Sequence, residues 1–332
     1  MTTGPEPVPT TSVPLSLLDR SRTRAGEPAG AALEDTLERA RRADELGFHR
    51  FWVAEHHAVP GIASGSPPLL MAAIAARTER IRVGSGGVML PNHRPIVVAE
   101  QARMLAALHP GRIDLGVGRS LGFTRPVREA LAVADYGPDR FAADLGALVD
   151  FLDDAGPVTA MPTEVGSPPV LVLATGSGLG VAAGLGLPVV VGGPVLHGDL
   201  APLDEYRERF RPGPTAAEPH IVVSTDVVIA ETSARARELA LPEAWAMVES
   251  RSTGAFPPLR PEPATRLTGR ERTRVEEHLQ RTVHGTATEV ADRIGDLVAR
   301  TGADEVIAFS STHDRSALAR SDAALARVHL PR

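Results

Sequence analysis

Four short clusters carry residue types that could do chemistry. The first is Glu55-His56-His57, directly after a strand-like run. An imidazole there can give or take a proton near neutral pH, with a carboxylate to fix its orientation. The same triplet read structurally is a hydrogen-bonded cap on a strand end, and both readings stand at this level. Metal ligation is disfavoured because later strand ends offer no His-x-His and the chain has no lysine. The second cluster is Gly84-Ser85-Gly86-Gly87, followed by Val88-Met89-Leu90-Pro91-Asn92-His93. Three glycines in four positions indicate either a close approach to the backbone, as by a flat ring system, or a tight turn. Asn92 and His93 read as rim loop residues, with substrate contact as the other reading. The third is Gly116-Val117-Gly118-Arg119-Ser120, where a glycine-flanked guanidinium suits a phosphate through bidentate contacts. The fourth is Ala174-Thr175-Gly176-Ser177-Gly178 at the opening of a helix, where N–H groups and hydroxyls suit an anion. Each of the last two is weak alone, since a strand-end Arg is commonly a salt-bridge partner. Together they put an Arg and a hydroxyl-rich turn on adjacent strands.

These clusters need a scaffold that brings strand ends together. Strand-like runs are predicted at Val13–Leu18, Phe48–Ala54, Ile81–Gly84, Ile113–Val117, Pro169–Leu173, Pro188–Val191, Ile221–Ala230 and Glu305–Ser310. Helical stretches fall between them: Leu33–Leu46 stopped by Gly47, Pro67–Ala76, Pro95–Leu108, a Gly-rich turn of helix to Gly184, Leu203–Phe210, Thr288–Arg300, and a last one to Val328. Repeated βαβ units predict a parallel sheet, and eight of them predict a (β/α)8 TIM barrel with its chemistry at the C-terminal strand ends. A doubly wound open sheet is the alternative. Residues 13–330 read as one domain, residues 1–12 as a disordered tail, and the Pro-, Thr- and Arg-rich stretch 252–272 as a mobile insertion before the last strand.

Composition narrows the function. All 35 basic residues are arginine, which removes Schiff-base, pyridoxal-phosphate and P-loop chemistry. A net charge of −6 argues against nucleic acid or an anionic membrane as the main partner. No apolar run is long enough for a bilayer, and Met1–Ser12 lacks a secretion-signal core. The absence of cysteine fits a cytoplasmic protein.

Taken in order, Arg50-Phe51-Trp52-Val53-Ala54-Glu55-His56-His57, the run from Gly84 to Pro91, and His109-Pro110-Gly111-Arg112-Ile113-Asp114-Leu115-Gly116-Val117-Gly118-Arg119 resemble the luciferase-like flavin monooxygenases. The resemblance runs from Leu15 to about Ser310 and is closest to members that tailor aromatic polyketides and other secondary metabolites. It implies reduced FMN at the barrel mouth, supplied by a separate flavin reductase, with O2 reacting at flavin C4a and one oxygen atom passing to a small-molecule substrate. It further implies catalysis by His56 supported by Glu55 and His57, and a non-prolyl cis peptide at Gly86–Gly87 under the flavin ring. Phosphate contacts would come from Arg119, Ser120, Thr175, Gly176 and Ser177. The run Ala174-Thr175-Gly176-Ser177-Gly178 stands where the relatives' phosphate turn carries a serine pair and a further serine, and Gly192-Gly193-Pro194 stands where relatives often carry a His pair. An F420-dependent oxidoreductase on the same barrel, moving hydride without O2, is the second reading, and a non-catalytic flavin-binding relative the third. A homodimer is expected, with the helix Pro67–Ala76 at its contact.

Overall fold

The computed structural model describes residues 13–122, 124–133, 135–164, 166–174 and 176–329. Its eight barrel strands are β1 (Leu15–Asp19), β2 (Arg50–Val53), β3 (Arg82–Ser85), β4 (Ile113–Gly118), β5 (Val170–Leu173), β6 (Val189–Gly192), β7 (Ile221–Ile229) and β8 (Glu305–Phe309). Each pairs in parallel with the next, and β8 closes on β1 through Leu15↔Val306 to Leu18↔Phe309. The (β/α)8 barrel expected from the sequence is therefore present, and the open sheet is not. Val88–Met89 resumes the line of β3 after an interruption and pairs with Val117–Gly118 of β4.

Alternation along the strands sorts the residues into an outer core and a barrel interior. Leu15, Leu17, Phe51, Val53, Val83 and Val306 face the helices. Inside, Trp52, Leu171, Val190, Val222 and Ile307 form an apolar plug with Leu18 and Leu173 against them. Below that plug the barrel is closed by ions: Arg50 reaches Asp114 at 2.6 Å and Glu305 at 3.0 Å, and Arg82 reaches Asp114 at 2.5 Å. Ser16 Oγ donates to Glu305 and Trp52 Nε1 to Asp114. Buried charges are tolerated here because each is paired and hydrogen-bonded. Apolar and ionic layers thus fill the N-terminal end and leave the C-terminal mouth for chemistry.

The strand-to-helix alternation read from sequence missed several helices. Pro138–Leu152 lies between β4 and β5 and buries Phe141, Leu145, Leu148 and Leu152. The connection from β7 to β8 holds two more, Ser233–Thr253 and Gly269–Arg281, ahead of the helix Ala287–Thr301. The Pro-rich stretch is thus helical at both ends, to Thr253 and from Gly269. Its middle is docked rather than detached. Gly61 N–H donates to Phe256 O, Leu259 N–H to Thr23 O, and Ala25 N–H to Leu259 O. Val228 continues the inward face of β7 above the barrel and packs on both helices through Leu239, Ala244, Val275 and Leu279. This insertion therefore roofs the β7–β8–β1 side of the mouth.

Candidate active site at the barrel mouth

Glu55 leaves the end of β2 fully buried, and its carboxylate is the hub of one half of the site. It accepts from Met89 N–H at 2.9 Å, Asn92 Nδ2 at 3.0 Å, His57 Nε2 at 2.7 Å and His93 Nε2 at 3.0 Å. Burial alone would raise its pKa, but the donors from His57, His93 and Asn92 outweigh that and hold it down to about 2. Glu55 is thus a fixed anion at any physiological pH. The structure corrects two expectations here. Glu55 orients His57 and His93, not His56, and Asn92 and His93 anchor that carboxylate instead of standing in a plain rim loop.

His56 turns the other way. Its backbone N–H donates to Ser64 O at 2.9 Å, and its ring meets the edge of Phe256 at a centroid distance of 6.4 Å. Burial, reinforced by the guanidiniums of Arg20 and Arg22, lowers its pKa to about 4. The ordinary histidine value assumed from sequence does not hold. At neutral pH His56 is a neutral imidazole, which can accept a proton or hydrogen bond but carries no charge to give away.

The glycine cluster also has a more particular cause than a flat ligand. A Cβ on Gly84 would lie 2.4 Å from Trp52 Nε1, one on Gly86 2.5 Å from Leu18 Cδ1, and one on Gly116 2.0 Å from Ser85 O and 3.1 Å from Trp52. Those three glycines make room for the indole and for the backbone crossing beside it. Gly87 is tight as well, 2.9 Å from Gly116 O, whereas Gly118 meets nothing nearer than Leu173 Cβ at 3.7 Å. The Gly86–Gly87 peptide is cis, as expected.

The anion cluster is assembled from neighbouring strand ends. Gly118 pairs with Leu173, so the loops carrying Arg119-Ser120 and Gly176-Ser177 leave the barrel side by side. Arg119 is half-buried and has no hydrogen-bond or ion-pair partner among the described residues; Ser120, Gly176 and Ser177 are exposed. Gly176 takes φ +57° before the helix Ser177–Gly184, a conformation that favours glycine. Thr175 lies outside the described residues. A half-buried cation without a counterion, beside a helix start, fits the phosphate of a flavin nucleotide.

Sequence reading missed the third wall. Asp226 sits on β7 two residues after Ser224 and four after the interior Val222, so it faces the mouth, and it is buried. Burial and the nearby Glu243 carboxylate push its pKa up to about 7. Asp226 Oδ1 and His278 Nε2 both lack a hydrogen-bond partner among the described residues, and Asp226 Oδ2 lies 3.9 Å from His278 Nε2. Glu243 itself is held near 2: burial would raise it, but Arg20 and Arg22 dominate. The available signal was one carboxylate in the otherwise apolar and hydroxylic run Ile221–Ile229. Among the described residues, buried polar atoms without a protein partner at Asn92, Asp226 and His278 lie around this mouth, where a ligand would complete them.

Comparison with known proteins places this architecture. The family model for luciferase-like monooxygenase matches residues 13–305. The chain is 34% identical over 316 residues to a luciferase-like monooxygenase of Escherichia coli (strain K12), covering 92% of this chain and 94% of that one. It is 45% identical over 146 residues, 44% of each chain, to N-acetyl-S-alkylcysteine monooxygenase of Bacillus subtilis (strain 168). The crystal structure of apo-MsnO8 superimposes with a TM-score of 0.83 at 34% identity, covering 96% of this chain and 99% of that one. More distant barrels share the fold alone. They include the oxygenating constituent of 3,6-diketocamphane monooxygenase from Pseudomonas putida in complex with FMN, at 16% identity and TM-score 0.73, and an F420-dependent secondary alcohol dehydrogenase at 15% and 0.66. The chain belongs to the luciferase-like monooxygenase family and is an oxygenating enzyme of that class.

Proposed function

We propose that this enzyme uses reduced FMN and O2 to insert one oxygen atom into a small organic substrate, a secondary metabolite such as a polyketide. The observation that carries the reading is the half-buried Arg119, without a hydrogen-bond or ion-pair partner among the described residues, on the loop beside Gly176-Ser177. When bound, the flavin supplies the activation of O2. The chain does the rest. Arg119, Ser120, Thr175, Gly176 and Ser177 would hold the phosphate, Gly86–Gly87 would border the ring, and His56 would offer a neutral imidazole to a proton that must move during turnover. Glu55 keeps His57 and His93 in place, and the roof helices limit water entry. FMN is favoured over F420 because the relatives at 34–45% identity are named monooxygenases, whereas the F420-dependent alcohol dehydrogenase barrel is 15% identical. A separate reductase delivers the reduced flavin transiently.

Anaerobic titration tests the cofactor assignment. Reduced FMN is expected to bind, and Arg119→Ala to weaken it by roughly tenfold to a hundredfold, since a charge-assisted contact contributes about 1.5–3 kcal/mol. Equal affinity in the variant removes Arg119 from the site. Binding of reduced F420 with none of FMN would favour hydride transfer instead.

The same reading includes a homodimer. Leu70, Met71, Ile74 and Ala75 of the helix Pro67–Ala75 face the barrel core, but Leu69 is 74% exposed. On the adjacent helix Pro95–Leu108, Val97, Met104 and Leu108 share one face, the last two 56% and 68% exposed. Such exposed apolar side chains support an interface at this face. Light scattering is expected to give a dimer for the wild type and a monomer for Met104→Glu/Leu108→Glu; a wild-type monomer at micromolar concentration would refute the dimer.

A further inference from the structure

Beyond the mouth, a cavity of about 210 Å³ opens between the helices Ala31–Leu46 and Arg315–His329, and its wall is rich in guanidinium. Arg20, Arg22 and Arg24 occupy alternate positions directly after β1, and all three reach this cavity, with Arg315, Ser311 and Thr312 opposite. These cations are not surface residues: Arg22 and Arg24 are each 6% exposed. Their carboxylate partners are shared. Arg20 and Arg22 both bind Glu243, at 2.9 and 3.0 Å, and Arg24 and Arg315 both bind Asp35, with Glu27 adding one more contact to Arg315. Four guanidiniums therefore share three carboxylates on this side. On the helix side Arg39 takes Asp19 and Asp322 and Arg42 takes Glu38, so the two sides together set six guanidiniums against six carboxylates.

One atom marks where the arrangement is incomplete. Arg22 Nε donates to Glu243 and Nη1 to Gly61 O at 2.7 Å, but Nη2 is buried with no acceptor among the described residues. A buried guanidinium N–H without an acceptor is costly and calls for an anion or polar oxygen. Burial lowers the pKa of both side chains; the Arg315 guanidinium adds to this at Arg24, whereas at Arg22 the attraction of Glu243 outweighs the repulsion of Arg20. The site is also tied to the mouth. The Arg22 guanidinium lies 5.6 Å over the ring of Phe256, and the edge of the same ring meets His56.

We propose that Arg22, with Arg20 and Arg24 around it, binds the carboxylate of an acidic small-molecule substrate and holds its neutral end toward His56. The proposal rests on the oxygenase reading and deepens it by naming the substrate class: organic acids, as opposed to neutral metabolites. A planar carboxylate matches the guanidinium fork, and the hydroxyls of Ser311 and Thr312 can complete its lone pairs.

The test is calorimetric titration of the full, flavin-free chain with N-acetyl-S-benzylcysteine, its neutral primary amide, and inorganic phosphate. The acid is expected to bind at least about tenfold more tightly than the amide. Arg22→Gln should erase that preference while leaving reduced-FMN affinity unchanged. Should Arg22→Gln fail to fold because Glu243 loses a partner, Arg22→Gln/Glu243→Gln removes both charges, and the same loss of preference is expected. Equal binding of acid and amide, no binding of either, or a preference that survives in the variants overturns the proposal. Phosphate binding without the organic acid also overturns it and assigns the cavity to a free inorganic anion. Oxygen uptake with reduced FMN, measured on the same preparation, tells failure of this inference from failure of the oxygenase reading.

Discussion

Replacing His56 by alanine is expected to lower turnover about 10²- to 10⁴-fold, the usual loss when a general acid or base is removed. Affinity for reduced FMN should change little, because the phosphate contacts proposed above are on the loops after β4 and β5. The reason is electrostatic. His56 is buried beside Arg20 and Arg22, and its pKa near 4 keeps the ring neutral and able to accept a proton throughout the cellular range. Rate should therefore be insensitive to this group above about pH 5 and fall as pH drops through 4. Its linkage to stability has the same direction. The folded value lies below the unfolded value of 6.5, so the contribution is complete above 6.5 and is lost as pH falls toward 4. His57→Ala should be milder, since Glu55 keeps His93 and Asn92 when His57 is gone. Steady-state kinetics across pH 4–9 (roughly the span the histidine chemistry covers) check this. Wild-type turnover in His56→Ala would make the residue structural.

Glu55→Gln is expected to cost on the order of 2–4 kcal/mol of stability, from hydrogen bonds to a charged group that contribute about 1.5–3 kcal/mol each. The carboxylate accepts from Met89 N–H and from three side chains. A carboxamide has one acceptor oxygen, and its NH2 would face a donor. Because Glu55 is held near 2 in the folded protein against 4.5 unfolded, its contribution is present above about 4.5 and disappears as pH falls toward 2. Urea unfolding should show a lowered midpoint at pH 7 and a narrower gap from wild type at pH 3. A midpoint equal to wild type at pH 7 would mean that this carboxylate anchors nothing.

The barrel was legible because its strands are short apolar runs set between helices with clear stops, such as Gly47 and His109-Pro110-Gly111. The triplet Glu55-His56-His57 was legible as residues but not as geometry. Nothing in Glu55-His56-His57 says that the carboxylate serves His93, 38 positions along, and that His56 turns instead toward Arg22 and Phe256. Such pairings depend on how two loops cross, which local pattern does not encode. The helix Gly269–Arg281 was hidden by the Pro-rich run before it, although Thr268-x-x-Glu271 is a capping box visible in the sequence. The roles of Gly84 and Gly116 could not be read without knowing that Trp52 points inward. Asp226 was passed over because one carboxylate in a strand reads as a solvated edge until the barrel closes around it.

The central claim, that this barrel carries out flavin-dependent oxygenation, is tested most directly by isotope. The purified chain, photoreduced FMN and an organic acid that binds it are mixed with ¹⁸O2, and the product is weighed by mass spectrometry. The account predicts one ¹⁸O atom per product molecule, dependent on both FMN and the chain. Product formed without ¹⁸O, or turnover that proceeds only with reduced F420 and needs no O2, would contradict it.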